Sequence, residues 1–235
     1  MGTKERKERE KEARKEEIID AAEKVFFEKG LAAATMDEIA ERAELSKGTL
    51  YLYYKSKEDL YLGVSIRGLE VMQGLFQKAV SNGQSTIQQI ANLGEAYYEF
   101  FKSNRNYFRM FIFFENPGLH TQVSEDMKEQ CSLAERKVWD TVVNLIQRGI
   151  DEGMLHKGLD PLEAGVMLWS NSNGLMRLMD RKDDYWTEHM GLNLENTLRK
   201  SNAFLVESMM TKKAHKLFGK MLFYHGGEDE KAEGQ

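Results

Sequence analysis

The chain has 235 residues, with 33 Lys+Arg against 38 Asp+Glu and a formal net charge of −5 at pH 7, so its global charge gives no reason to expect a polyanionic partner. Only 2 prolines, beside 41% hydrophobic and 30% charged residues, favour long helices and disfavour many-stranded sandwiches and barrels. This length buries a real core in one or two modest domains without metal or disulfide staples, and the lone Cys131 rules out an internal disulfide.

Residues 3–17 are a mixed-charge run in which Ala13 is the only apolar side chain, so they lack the apolar core of a secretory signal. Seven cations (positions 4, 6, 7, 9, 11, 14, 15) face six glutamates (5, 8, 10, 12, 16, 17). The run reads as a solvated arm or frayed helix start, with a nucleic-acid arm as the alternative. From Ile18 the spacing Ile18, Ala22, Val25, Phe26 is helical, and Lys29-Gly30 closes it with a cation and a C′ glycine. Thr35-Met36-Asp37-Glu38 is a capping box that predicts a short helix from Met36 to about Ala43. After Glu44-Leu45, Ser46 caps a second short helix, and Ser56-Lys57-Glu58-Asp59 starts a longer one with acids in its first turn.

Helices are then predicted near 57–80, 86–102, 105–115, 121–152, 161–181 and 191–219. The breaks are Asn82-Gly83, Ser103-Asn104, Asn116-Pro117-Gly118, Gly158 to Pro161 and the polar stretch around Asp183, with Asp160-Pro161 a clear N-terminus. The longest uncharged stretch, Ala79 to Gly94, is rich in Ser, Asn, Gln and Thr and does not match the apolar span of about 20 residues that crosses a bilayer. A cytoplasmic protein without a membrane partner is the expectation. The fold class is all-α, about nine to ten helices, with an N-terminal three-helix domain and a C-terminal helical bundle; residues 223–235, acidic and glycine-containing, read as a disordered tail.

Two short helices joined by a tight turn have helix-turn-helix geometry, in which the second helix enters the major groove. Across Lys47 to Lys57 there are three lysines (47, 55, 57), no acid, and three interleaved tyrosines (51, 53, 54). Lysine and hydroxyl groups suit phosphate oxygens, tyrosine also packs on a thymine methyl, and Gly48 lets the backbone approach the groove. Between Thr35 and Lys57 all four acids precede the turn, and the three lysines follow it.

The stretches Ala34 to Ala40, Leu45 to Tyr51 and Tyr54 to Leu60 closely resemble the DNA-binding domain of the TetR family of transcriptional regulators, over roughly Ile18 to Leu62. The resemblance implies an all-helical homodimer whose N-terminal domains (residues 1–62) bind a palindromic double-stranded DNA operator. It implies that residues 63–222 bind a small-molecule effector and dimerise. Carried over, it puts Thr35, Thr49, Tyr53 and Lys57 toward phosphate and Lys47, Gly48 and Tyr51 toward bases or backbone, with Leu50 and Tyr54 facing the small domain's core. Glu44 departs from the glycine usual in the family's turn; if the backbone there is left-handed it costs about 1–2 kcal/mol. Leu52 stands where a polar or aromatic residue is frequent and offers less base-reading chemistry.

In the helix from Pro161, Leu162, Val166, Trp169 and Met176 form one apolar series, and Gly165, Leu168, Ser172, Leu175 and Met179 a second. The second series is read as a subunit contact, in agreement with the family's four-helix dimer interface, with Leu198 and Leu205 of the last long helix as partners; the alternative is a core helix buried within one chain. The aromatic cluster from Tyr97 to Phe114 reads as core or as an effector cavity lined by Tyr97, Phe101, Phe108, Phe111 and Trp139, which would favour a lipophilic or aromatic effector. The five histidines are scattered without metal-ligand spacing, and no P-loop, dinucleotide fingerprint or nucleophile elbow occurs, so no metal, cofactor or enzymatic activity is expected. Cys131 reads as a small buried hydrophobe. The leading reading is a ligand-responsive regulator, a repressor released by its effector. The rival is a helical small-molecule-binding or protein-interaction module that does not act on DNA.

Overall fold

The computed structural model describes residues 3–81, 85–114, 122–181 and 185–218. Among them the helices are α1 (Thr3–Ala33), α2 (Met36–Arg42), α3 (Lys47–Tyr53), α4 (Lys57–Ser81), α5 (Thr86–Ser103), α6 (Arg105–Phe114), α7 (Glu125–Asp151), α8 (Pro161–Asp180), α9 (Leu194–Met209) and α10 (Lys212–Phe218), with a π-helical turn at Tyr185–His189. The fold is all-α, as composition and periodicity predict. The breaks expected at Asn82-Gly83, Asn116-Pro117-Gly118 and Asp183, and the tail at 223–235, lie outside the described residues.

The mixed-charge run is helical and continuous with the core-packed part of α1. Lys, Arg and Glu are good helix formers, and ion pairs Arg6–Glu10 (2.7 Å), Lys15–Glu12 (2.8 Å) and Arg14–Glu17 (2.5 Å) join successive turns. The expected stop at Gly30 is a kink: Gly30 takes φ 71° and ψ 172°, and one further turn follows to Ala33.

The other expected boundary that shifts is the last helix, 191–219, which is two. Met210 is extended (φ −77°, ψ 142°) and forms an antiparallel bridge with Leu155. His156 N–H donates to the Met209 carbonyl (3.0 Å) and Thr211 N–H to that of Met154 (2.9 Å), while the Thr211 hydroxyl accepts from Ala214 N–H and starts α10. The backbone groups freed by interrupting the helix are thus paired again with a distant loop.

The chain packs as two units, one of residues Met1–Val71 and Asn104–Arg136, the other of Met72–Ser103 and Lys137–Gln235. In the first unit Ile18, Ala22, Ile39, Leu50, Leu60, Val64 and Phe108 are almost fully buried. It extends past the boundary drawn at Leu62 because α4 packs on α6: the Tyr61 hydroxyl donates to the Met110 carbonyl (3.2 Å), and a Cβ on Gly68 would lie 2.7 Å from the Tyr107 ring. The second unit is built around Ile87, Phe100, Phe101, Ile146, Leu155, Met176 and Leu198. There a polar network crosses between α8 and α9, with Asn171 donating to Ser201 and Asn202 (2.9 and 2.7 Å) and Ser172 to Asn202 (3.1 Å).

Candidate nucleic-acid interface

Local capping chemistry fixes both short helices. The Thr35 hydroxyl accepts from Glu38 N–H and the Glu38 carboxylate accepts from Thr35 N–H, both at 3.2 Å, so two amides at the start of α2 are satisfied reciprocally. The Ser46 hydroxyl accepts from Thr49 N–H (3.1 Å) at the start of α3. Between them Glu44 adopts φ 56°, and Leu45 N–H donates to the Ala40 carbonyl (2.9 Å). The turn is left-handed, as the family's glycine at this place requires, and Glu44 bears the steric cost of a Cβ there. Ion pairs Arg42–Glu28 (2.5 Å) and Lys29–Glu38 (2.5 Å) tie α2 to α1.

α3 presents two faces. Leu50 and Tyr54 enter the core, where burial, followed by the charges of Glu16 and Glu12, pushes the Tyr54 phenol up to about 12. Lys47, Gly48, Tyr51 and Leu52 of α3 are exposed, and so is Lys55, which follows the extended Tyr54. Leu52 is 83% exposed, an apolar side chain held in water by a helix whose partner face is already filled. Its position two residues from the buried Leu50, about 200° around the helix, turns it outward.

The predicted contacts differ in how free they are. Gly48 is exposed, with only the Ser46 hydroxyl near it, and Tyr51 is 45% exposed. Tyr53 is half-buried, as is Thr49, whose hydroxyl shares a hydrogen with that of Ser46 (2.8 Å). The Lys47 ammonium pairs with Asp37 (2.8 Å), which raises its pKa, and both side chains stay open to water. The Lys57 ammonium donates to the carbonyls of Leu31 (2.9 Å) and Ala34 (3.3 Å), so it ties down the chain after the Gly30 kink.

The aromatic residues proposed for an effector fall in both units. Phe108 is fully buried and Phe111 half-buried in the first; in the second, Tyr97 and Phe101 are buried, and half-buried Trp139 meets Trp169 edge to face at 6.2 Å. The Tyr97 hydroxyl lies 3.5 Å from the side-chain oxygen of buried Asn173. Gly165 packs against Val142 and Trp139 of α7, while Ser172 and Leu198 are buried by the chain's own helices. These three positions therefore present no surface to a second copy. Leu168, Leu175, Met179 and Leu205 are half-buried, and exposed apolar side chains on these two helices include Leu162, Val166, Met167 and Trp169 of α8 and Phe204 of α9. Among the described residues no group of three or more His, Cys, Asp or Glu is placed to hold a metal, and no helix is long and apolar enough to cross a membrane.

Two capped helices around a tight turn, with a polar, tyrosine-bearing outer face on the second, define a helix-turn-helix DNA-binding protein. The family model for bacterial regulatory proteins of the tetR family matches residues 18–64, from the buried part of α1 into α4. The transcriptional regulator YhgD of Bacillus subtilis is 31% identical over 156 residues, covering 66% of this chain and 78% of that protein. The transcriptional activator FasR of Mycolicibacterium smegmatis is 31% identical over 144 residues, 61% of this chain, which spans 63% of the length of FasR. The chain belongs to the TetR family of transcriptional regulators. Its fold is similar to that of the regulator FadR from Bacillus subtilis in complex with stearoyl-CoA, with a TM-score of 0.63 and 17% identity over 82% of this chain and 98% of that one.

Proposed function

We propose that this regulator is a repressor that binds a palindromic operator as a homodimer and is released by a lipophilic effector, in the first instance a long-chain acyl thioester. The observation that carries the DNA reading is the outer face of α3, where Lys47, Gly48, Tyr51 and Leu52 stand exposed while Leu50 and Tyr54 anchor the helix. Thr35, Thr49 and Tyr53 are assigned to the phosphates beside it; Lys57 is assigned to ordering the loop before α2. Repression follows from occupancy alone, whereas activation needs a further surface for the polymerase.

The dimer reading rests on the exposed apolar side chains of α8 and α9, since a monomer rarely leaves a large apolar patch in water. The effector reading rests on the aromatic side chains of the second unit, buried Tyr97 and Phe101 with half-buried Trp139, and on the stearoyl-CoA bound by a regulator of similar fold. An effector releases DNA only if it binds the two conformers unequally.

The test uses duplexes selected by the protein from a randomised pool. Footprinting is expected to show an inverted repeat with half-sites about 34–36 Å apart or a multiple of it. Stearoyl-CoA, and not free coenzyme A, is expected to displace the duplex and restore transcription in vitro. Selection that yields no inverted repeat overturns the operator reading. Displacement by neither compound overturns the acyl effector, and transcription that rises on protein binding overturns repression.

A further inference from the structure

We propose that the first half of α1 is a second nucleic-acid contact, in which Lys4, Lys7 and Lys11 lie on phosphates flanking the bases met by α3; the inference rests on the DNA-binding reading of α2 and α3. Three observations carry it. Because α1 is helical from Thr3, positions 4, 7 and 11 share one face, and Arg14 and Lys15 continue it. What reads in sequence as a nearly neutral mixture is therefore a cationic stripe.

The second observation is how the arm's acids are used. Glu10, Glu12 and Glu17 pair with Arg6, Lys15 and Arg14, and Glu16 pairs with Arg67 of α4 at 2.6 Å. Among the described residues, no hydrogen bond or ion pair engages Lys4, Lys7 or Lys11. Most of the arm's glutamates are thus held in exposed ion pairs within the chain, while three ammonium groups on one face, with Glu8 at its edge, remain available.

The third is placement. Ile19 of α1 and Tyr54, which closes α3, meet at the same glycine of α4: a Cβ on Gly63 would lie 2.6 Å from Ile19 Cδ1 and 3.5 Å from Tyr54 Cε1. The charged half of α1 thus leaves the packed unit beside the C-terminal end of the recognition helix. From Lys15 back to Lys4 it extends ~16 Å at about 1.5 Å per residue, or roughly five nucleotide steps of about 3.4 Å. Residues 4–12 carry no apolar side chain with which to enter a bilayer or fill a protein groove, whereas lysines act on phosphate as compact point charges.

The experiment compares the parent chain with a Lys4→Gln, Lys7→Gln, Lys11→Gln variant and the corresponding triple Lys→Arg variant, on duplexes selected by the parent. Affinity is measured against salt concentration, and protection by hydroxyl-radical footprinting. The Gln variant is expected to keep the central protection and lose its outer edges, and the slope of log affinity on log salt should fall by about 0.9 for each phosphate that is no longer neutralised. The Arg variant should restore both. Equal slopes and equal footprints for parent and Gln variant would overturn the inference while leaving the DNA reading intact. A parent that protects no duplex overturns the DNA reading itself and the α1 contact with it.

Discussion

Leu52, in the middle of the exposed face of α3, has nothing to offer a base except shape and apolar surface. In a major groove the complementary feature is the C5-methyl of thymine. Leu52→Ala is expected to abolish a preference for thymine over deoxyuridine at one position of each half-site. That preference should be about fourfold in the parent, from about 0.8 kcal/mol per buried methyl-sized group. Competition between duplexes differing only in that methyl measures it, and a variant that still distinguishes them shows that Leu52 does not read it. Cys131 is the opposite case, buried and pushed up to about 12 by desolvation first and Glu135 second. On the order of a thousandfold less thiolate than in a free cysteine should make alkylation at mildly alkaline pH correspondingly slow until the chain is unfolded, as mass spectrometry of the alkylated protein would show. Helical spacing is enough to assign Leu50 and Tyr54 to the core. It does not reveal that Lys57 is engaged by two carbonyls from before α2, because that contact joins residues 26 and 23 positions apart.

Helix starts at Thr35, Ser46 and Asp160 are legible because a capping oxygen and the amide it accepts from lie within three residues of one another. The division between α9 and α10 is not, since it is held by Leu155 and Met154 from more than fifty positions away and Met210 is as apolar as its neighbours. The charged start of α1 is ambiguous for another reason: its helix is stabilised by exposed ion pairs, which leave no apolar period to read. The α2–α3 turn shows a local rule broken in place. Glu44→Gly removes a left-handed Cβ worth about 1–2 kcal/mol, partly offset by the greater freedom of glycine in the unfolded chain. The variant should therefore be more stable by up to about 1 kcal/mol, read as a higher denaturant midpoint at unchanged slope. It should also bind DNA more tightly at low salt, since a carboxylate has left the turn before α3. A lower midpoint would mean that Glu44 makes a compensating interaction.

At the scale of the whole molecule, the fold holds protonated at least four phenols among the described residues. Burial pushes Tyr54 up to about 12, with Glu16 and Glu12 adding to it, and pushes Tyr98 up to about 12, with a hydrogen bond to Glu195 adding. Burial also raises Tyr61, and burial followed by a hydrogen bond to Glu23 raises Tyr107. The folded state therefore binds these protons more tightly than the unfolded chain, whose phenols release them near 10. The linked stability is fully present below about pH 10 and is lost as pH rises toward 12, because there the unfolded chain has given up protons that the fold still holds. Three of the four, Tyr54, Tyr61 and Tyr107, belong to the unit that carries α2 and α3. Alkaline titration should thus cost DNA binding together with helicity, and tyrosinate absorbance from these groups should rise only as far-ultraviolet ellipticity falls. Tyr61→Phe should delay that transition, since it removes an ionisable phenol at the cost of one hydrogen bond to the Met110 carbonyl. Full ionisation of the tyrosines with the helices intact would show that the phenols reach water without unfolding, and that the α4–α6 contact opens more readily than its packing implies.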